Sequence, residues 1–256
     1  MTDMKRDYNK EAKDHPEHRY AYDFDYRMHG FMMRTFESSI VEGPTLELGC
    51  FHGNFTRLLC QRFADVEVVE ASEDCIVEAN KAVDGKARFH HSTFEQFEPT
   101  RRYANIFLIH TLEHLDSRPE VLRRIGGWLA EGGRLFVATP NARAASRQIA
   151  VHMGLIDHCA AVTSAEAAHG HRITYSLDTL AADLHAAGLR ISQRGGVVFK
   201  ALANFQLDAS LQANIISDEY LDGCFQLGSM YPDLCSSIYC VGTLSRDRAQ
   251  VQKLSF

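Results

Sequence analysis

The sequence predicts an α/β fold, a mostly parallel sheet of seven strands with helices on both faces. Three observations lead there. From Pro44 to Leu244, short apolar runs with strand character alternate with amphipathic helical stretches, and that alternation builds crossover units around a parallel sheet. The first helical stretch carries Phe55, Leu58, Leu59 and Phe63 at helical spacing, one apolar stripe facing a sheet. The first strand, in Thr45-Leu-Glu-Leu-Gly-Cys-Phe-His-Gly-Asn54, runs straight into a glycine turn.

The elements follow in order. The first 43 residues are aromatic and charged and hold no strand. Tyr20, Tyr22, Phe24 and Tyr26 alternate with polar residues, and an amphipathic stretch through Met28, Phe31, Met32 and Phe36 suits a helix on the flank of the sheet. Strands are expected over Thr45–Leu48, Val66–Val69, Ala87–His90, Ala104–Ile109, Gly133–Ala138, Ile191–Phe199 and Ser236–Leu244. Helices are expected over Phe55–Phe63, Ser72–Val83, Pro119–Leu129, Arg143–Met153 and Leu177–Ala187. Ser72 and Ser176 stand at N-cap positions, and Gly188 stops its helix. Residues 140–175 and 200–235 break the rhythm. Long connections after parallel strands build substrate sites, so both read as insertions that form a small cap on a single domain spanning 44–256.

Composition narrows the function classes. A chain of 256 residues buries one substantial core. Its net charge of −6 gives no general footprint for nucleic acid or an anionic membrane. No apolar run reaches the length of a membrane span, and Met1 to Arg19 lacks the apolar core of a secretory signal. Seven scattered cysteines without a C-x-x-C pair suit a reducing cytoplasm. A small-molecule partner is expected, with neither nucleic acid nor membrane; a homodimer is compatible with this reading.

The turn after the first strand names a ligand class. A second strand, Val66-Glu-Val-Val-Glu70, ends in an acid 21 residues beyond Gly49, where a carboxylate receives ribose hydroxyls. A dinucleotide site needs glycine at the first, third and sixth positions of the turn. Counted from Gly49, the third is Phe51 and the sixth Asn54, which disfavours a pyrophosphate. Gly49 and Gly53 still admit a ligand lying close to the backbone, because a Cβ there would obstruct it. An adenosyl ligand without a phosphate chain, S-adenosylmethionine, meets these terms.

Three blocks then carry a resemblance: Glu47-Leu-Gly-Cys-Phe-His-Gly53, Ile106-Phe-Leu-Ile-His-Thr-Leu-Glu-His-Leu115, and Trp128-Leu-Ala-Glu-Gly-Gly-Arg-Leu-Phe-Val-Ala-Thr-Pro-Asn141. With them the chain resembles the class I S-adenosylmethionine-dependent methyltransferases of the small-molecule type, similar to the ubiquinone-biosynthesis and sugar methyltransferases. The resemblance implies a Rossmann-like sheet whose last strand inserts antiparallel, and an N-terminal segment, residues 1–43, that acts as a helical lid with Tyr22 over the cofactor. It implies that Glu47 anchors the cofactor's ammonium, Gly49, Phe51 and Gly53 form the turn beneath it, and Glu70 and Ala71 meet the ribose. Relatives often carry glycine where Phe51 stands. Many also place an Asp near Thr93 for the adenine amino group; here Thr93, a backbone group or Phe94 fills that place. His110 lines the cleft beside the sulfonium.

Methyl transfer is an in-line displacement in which the protein aligns the acceptor and excludes water. A hydroxyl acceptor gains from a general base, and His114, His171 and His169 are the candidates, in that order. Each also fits a histidine that merely caps a helix or bonds backbone. Arg172 and Tyr175 are placed to orient an acceptor. Lys200, Asn204, Gln206 and Asp208 form one polar face suited to a phosphate or carboxylate, or to a solvated loop. The expected reaction is methylation of a hydroxyl on a sugar, a nucleotide-linked compound or a natural-product intermediate, with a small amine as the alternative and no metal. A cofactor-binding protein without activity is a further alternative. His110-Thr-Leu-Glu-His114 also matches an inverted zinc-protease signature, with His110, Glu113 and His114 as its members. That motif straddles the end of a strand instead of lying in one helix, which disfavours a zinc hydrolase.

Overall fold

The structure, a computed structural model, describes residues 6–12 and 21–244. Tyr20 and most of the first 19 residues lie outside them. In chain order the elements are α1 (Tyr8–Glu11), α2 (Asp23–Phe36), β1 (Thr45–Leu48), α3 (Asn54–Arg62), β2 (Val66–Glu70), α4 (Glu73–Val83), β3 (Arg88–His91) and β4 (Tyr103–Ile109). There follow α5 (Arg118–Trp128), β5 (Leu129–Pro140), α6 (Ala145–His152), α7 (Ser164–Ala168), α8 (Leu177–Ala186), β6 (Leu189–Phe199), α9 (Asn204–Gln212), α10 (Asp218–Gly228) and β7 (Cys235–Leu244).

The seven strands form one sheet in the order β3-β2-β1-β4-β5-β7-β6. Strands β1 to β5 pair in parallel, and β7 runs antiparallel to both β5 and β6, as the resemblance implied. Strand periodicity divides the core. Leu46, Leu48, Ile106, Leu108, Leu135 and Val137 face α5 and α8, whose Leu122, Ile125, Leu180 and Leu184 are fully buried. Val68, Phe107, Ile109 and Phe136 face the other way, toward α2 and α3. There Phe107 and Phe136 stack with ring centroids 4.5 Å apart, and Phe36 of α2 packs at 5.1 Å from Phe136. Burying such side chains is worth roughly 1.5–3 kcal/mol each.

Helix α2 is therefore a core helix, with Phe24, Met28, Met32 and Phe36 almost fully buried. Its N-terminus is held from a distance. The Asp208 carboxylate of α9 accepts hydrogen bonds from the Asp23 and Phe24 N–H groups, both at 2.9 Å, satisfying two of the free donors of a first turn. Residues 200–235 differ from the expected cap. They supply α9 and α10, which bury Leu207, Leu221 and Cys224 in the same core as Phe31 and Val197, and Phe225 stacks on Phe31 at 5.1 Å. The segment mainly packs α10 on β6 and α9 on α2. Residues 140–175 hold α6, α7 and a bridge from Asn141 to Tyr175.

Candidate active site

A cavity of about 470 Å³ opens at the carboxyl ends of β1 to β5, where the chain reverses its direction of strand addition between β1 and β4. Open α/β sheets bind ligands at such a point. Residues from both ends of the sequence line it, from Arg6, Tyr8 and Tyr22 to Asn204 and Ser237.

The glycine turn forms its floor. Gly49 and Gly53 take φ of +79° and +80°, a region that penalises any Cβ. An added Cβ would lie 2.7 Å from Thr111 Oγ1 at Gly49, and 2.7 Å from Ala79 Cα in α4 at Gly53. The glycines thus let the turn seat between two protein elements; the obstacle is protein, not the ligand expected from sequence. Gly53 does not itself reach the cavity, whereas Phe51 does. Phe51 takes φ +49°, so the position where relatives often carry glycine keeps a glycine-like backbone.

Glu70, at the end of β2, folds onto this turn. Its Oε2 accepts from the Cys50 and Phe51 N–H groups at 3.0 and 3.4 Å, and its Oε1 accepts from the Ser72 N–H at 2.9 Å. A carboxylate offers about four acceptor positions, so capacity remains for a sugar hydroxyl. Glu47 stands beneath. It is 1% exposed, and its Oε2 has no hydrogen-bond partner among the described residues. Burial, with the nearby Glu70 charge, pushes its carboxyl up to about 8. Ala71, Thr93 and Phe94 line the adjoining wall. His110 follows β4 with φ +48° and meets Ser237 Oγ at 2.9 Å. Burial and the neighbouring His29 and His171 push it down to about 3, so its imidazole is neutral.

A second polar group also lines the cavity. Glu113 and His114 belong to a 3₁₀ turn after β4, and His169 and His171 follow α7; all four line the cavity. The rings of His114 and His171 meet edge to face, centroids 4.5 Å apart. Burial lowers both imidazoles, His114 well below its ordinary value. Glu113 is 1% exposed, and neither carboxylate oxygen has a hydrogen-bond partner among the described residues. Burial pushes this carboxyl, too, up to about 8. Backbone bonds pin the group: Arg172 N–H donates to the Glu113 carbonyl at 2.8 Å, and Arg6 donates to the His114 carbonyl at 2.7 Å.

Several expected substrate residues lie elsewhere. Tyr175 is 1% exposed and donates its hydroxyl to Asp183 at 2.7 Å; it belongs to the core against α8, so it does not orient an acceptor. Arg172 sits outside the cavity wall and binds Asp116 at 2.9 Å. Lys200 is buried, donates to the Leu202 carbonyl at 2.9 Å and lies over the Phe24 ring. Asn204 does reach the cavity, with its amide 2.7 Å from Asp25. Gln206 and Asp208 cap the starts of α9 and α2, so this polar face ties two helices together instead of gripping an anion. The H-x-x-E-H members also separate: His110 turns to Ser237, and His171 joins Glu113 and His114 in its place. Sequence reading missed Arg6, Tyr8, Glu11, His29 and Glu166 as cavity residues; no motif marks them, since folding alone brings them to it.

A cavity at the sheet's switch point, a glycine turn under an acid-tipped second strand and an antiparallel last strand define a nucleoside-binding transferase fold. A family model described as "Methyltransferase domain" matches residues 19–194, and the chain belongs to that family. Its fold is shared with solved methyltransferases. The N-methyltransferase NodS from Bradyrhizobium japonicum WM9, in complex with S-adenosyl-L-homocysteine, is 16% identical, with 91% of this chain and 93% of that one covered at a TM-score of 0.57. An S-adenosylmethionine-dependent methyltransferase from Thermotoga maritima, described as a possible histamine N-methyltransferase, is 14% identical over 86% and 92% of the two chains, with a TM-score of 0.58. The glycopeptide N-methyltransferase MtfA, complexed with S-adenosyl-L-methionine, is 14% identical over 85% and 87%, with a TM-score of 0.56.

The enzyme is an S-adenosylmethionine-dependent methyltransferase of class I. The cavity's residues fit that cofactor chemically: one Glu47 oxygen has no hydrogen-bond partner among the described residues, and the Glu70 carboxylate keeps acceptor capacity. Among the described residues, no helix is long and apolar enough to cross a membrane.

Proposed function

We propose that this enzyme methylates a hydroxyl oxygen of a small polar acceptor, such as a sugar, a nucleotide-linked compound or a natural-product intermediate. The observation that carries the reading is the edge-to-face pair of imidazoles, His114 and His171, in the same cavity as the cofactor turn, both lowered by burial. A cavity of about 470 Å³ suits a cofactor with a small acceptor and no polymer. S-adenosylmethionine, when bound, supplies a methyl group already activated by its positive sulfur. Glu70 holds the ribose, Glu47 the ammonium, and Thr93 with Phe94 flanks the adenine. Tyr22, Tyr8 and Tyr26 close the cavity from the N-terminal side and limit water. The histidine pair makes the acceptor hydroxyl nucleophilic, in the simplest route through proton transfer to His114. Seven free thiols support a reducing, cytoplasmic setting, and the net charge of −6 supports a partner that is neither nucleic acid nor membrane.

Methylation of an amine is the second reading, favoured by NodS and MtfA, both described as N-methyltransferases. A neutral amine needs no base, so the two readings separate on His114. Methyl transfer from labelled cofactor to matched alcohol and amine acceptors tests them. Oxygen-linked product, with turnover in His114→Ala slowed about a hundredfold or more at unchanged affinity for S-adenosylhomocysteine, is expected. Amine products alone would overturn the hydroxyl reading.

A further inference from the structure

We propose that Glu113, His114 and His171 form a binding site for a divalent first-row transition-metal ion at the acceptor end of the cavity. One ligand atom from each, a carboxylate oxygen and two ring nitrogens, lies within 4.8 Å of the others. The 3₁₀ turn after β4 supplies the first two and the loop after α7 the third. Bonds of about 2.0–2.2 Å to a shared ion place such atoms roughly 3–3.5 Å apart, so side-chain rotation has to draw the set together by about 1 Å or more.

The buried, unpartnered carboxyl of Glu113 points to a cation. A carboxylate 1% exposed, with neither oxygen hydrogen-bonded among the described residues, is costly unless something positive answers it. The nearby guanidinium groups are engaged elsewhere. Arg147 pairs with Glu166 at 2.6 Å, Arg172 with Asp116 at 2.9 Å, and Arg6 with Glu11 at 2.6 Å. The ring of His114 also hydrogen-bonds the backbone of His169, the outer support that fixes the orientation of a metal-binding imidazole.

Two nitrogens and one oxygen suit Zn²⁺, Fe²⁺, Mn²⁺ or Co²⁺, whereas Mg²⁺ and Ca²⁺ prefer oxygen sets. Three protein ligands leave coordination positions open. The role of the ion in turnover rests on the hydroxyl reading above: the acceptor oxygen takes an open position and its proton passes to water, in place of direct transfer to His114. The oxygen–methyl bond then forms as the sulfur–methyl bond breaks, with the sulfur keeping that electron pair. A bound cation eases such a deprotonation.

The test uses untagged full-length protein stripped by a chelator and titrated with Co²⁺. Visible absorption reads metal binding, and calorimetry with S-adenosylhomocysteine on the same samples reads the fold. Expected are one Co²⁺ per chain in the wild type, affinity weakened about a hundredfold in Glu113→Gln and in His171→Ala, and intact S-adenosylhomocysteine binding in all three. A wild type that binds S-adenosylhomocysteine without taking up Co²⁺, or two variants that bind Co²⁺ like the wild type, would overturn the site. Stoichiometric Co²⁺ together with methylation of amines only would uphold the site and overturn its role toward a hydroxyl.

Discussion

The Glu70 carboxylate accepts the backbone N–H of Cys50 at 3.0 Å, which joins the acid at the tip of β2 to the glycine turn after β1. The same side chain also receives the N–H groups of Phe51 and Ser72. One residue therefore shapes the turn and lines the cavity.

Glu70→Ala is expected to lower both cofactor affinity and stability. Hydrogen bonds to a charged group contribute about 1.5–3 kcal/mol each, so affinity for S-adenosylhomocysteine should fall tenfold or more by calorimetry, with a reduced melting temperature. Glu70→Gln keeps an acceptor oxygen and should fall between. Wild-type affinity in the alanine variant would remove Glu70 from the cofactor site.

The two glycines of the turn should differ in their tolerance of alanine. Both carry positive φ, which costs a side chain about 1–3 kcal/mol. At Gly53 the new Cβ meets the backbone of α4, whereas at Gly49 it meets the Thr111 side chain. Denaturant titration should show the larger loss for Gly53→Ala, and Thr111→Ser should partly rescue Gly49→Ala and not Gly53→Ala. Equal losses without rescue would refute this assignment.

Cofactor binding should release a proton below pH 8. Burial, with Glu70 nearby, pushes the Glu47 carboxyl up to about 8 from its ordinary 4.5, and an ammonium beside it favours the ionised form. The folded value lies above the unfolded one. Its contribution to stability is thus fully present below about 4.5 and lost as pH rises through about 8. Affinity for the cofactor runs the other way, rising with pH over that window. Calorimetry in two buffers of different ionisation enthalpy should detect the released proton in the wild type and lose it in Glu47→Gln. Equal proton release in both proteins would contradict this account of Glu47.

Asp208→Ala should loosen the start of α2 without touching the cofactor turn. It removes the acceptor for the Asp23 and Phe24 N–H groups, a loss of about 1–3 kcal/mol. Hydrogen exchange at those two amides should accelerate, while Cys50 and Phe51 amides keep their protection. Unchanged exchange at Asp23 and Phe24 would show that another group holds this end.

The seven strands, the crossover turn and the cavity-lining acids Glu47 and Glu70 were legible because each depends on local pattern, whereas α7, α9 and α10 were not. Apolar runs of strand length, a helical stripe from Phe55 to Phe63 and glycine spacing are readable within a few residues. The failures share one cause. Tyr175, Lys200 and Asp208 read as polar residues in irregular segments, yet their partners Asp183, Leu202 and Asp23 turn them to structural work. Nothing within an aromatic or polar stretch specifies which distant carboxylate or backbone group it will meet.

The sequence by itself determined the crossover fold and its glycine turn, because short-range periodicity and glycine placement encode them, and its resemblance to the methyltransferases implied the class of methyl donor. Only the tertiary structure decided that His171 joins Glu113 and His114 while His110 turns to Ser237. It also decided that Arg6 and Tyr8 reach a cavity built by strands far along the chain. These pairings are made by burial and by the need of each enclosed polar group for a partner, and such demands are met across the fold instead of along the chain.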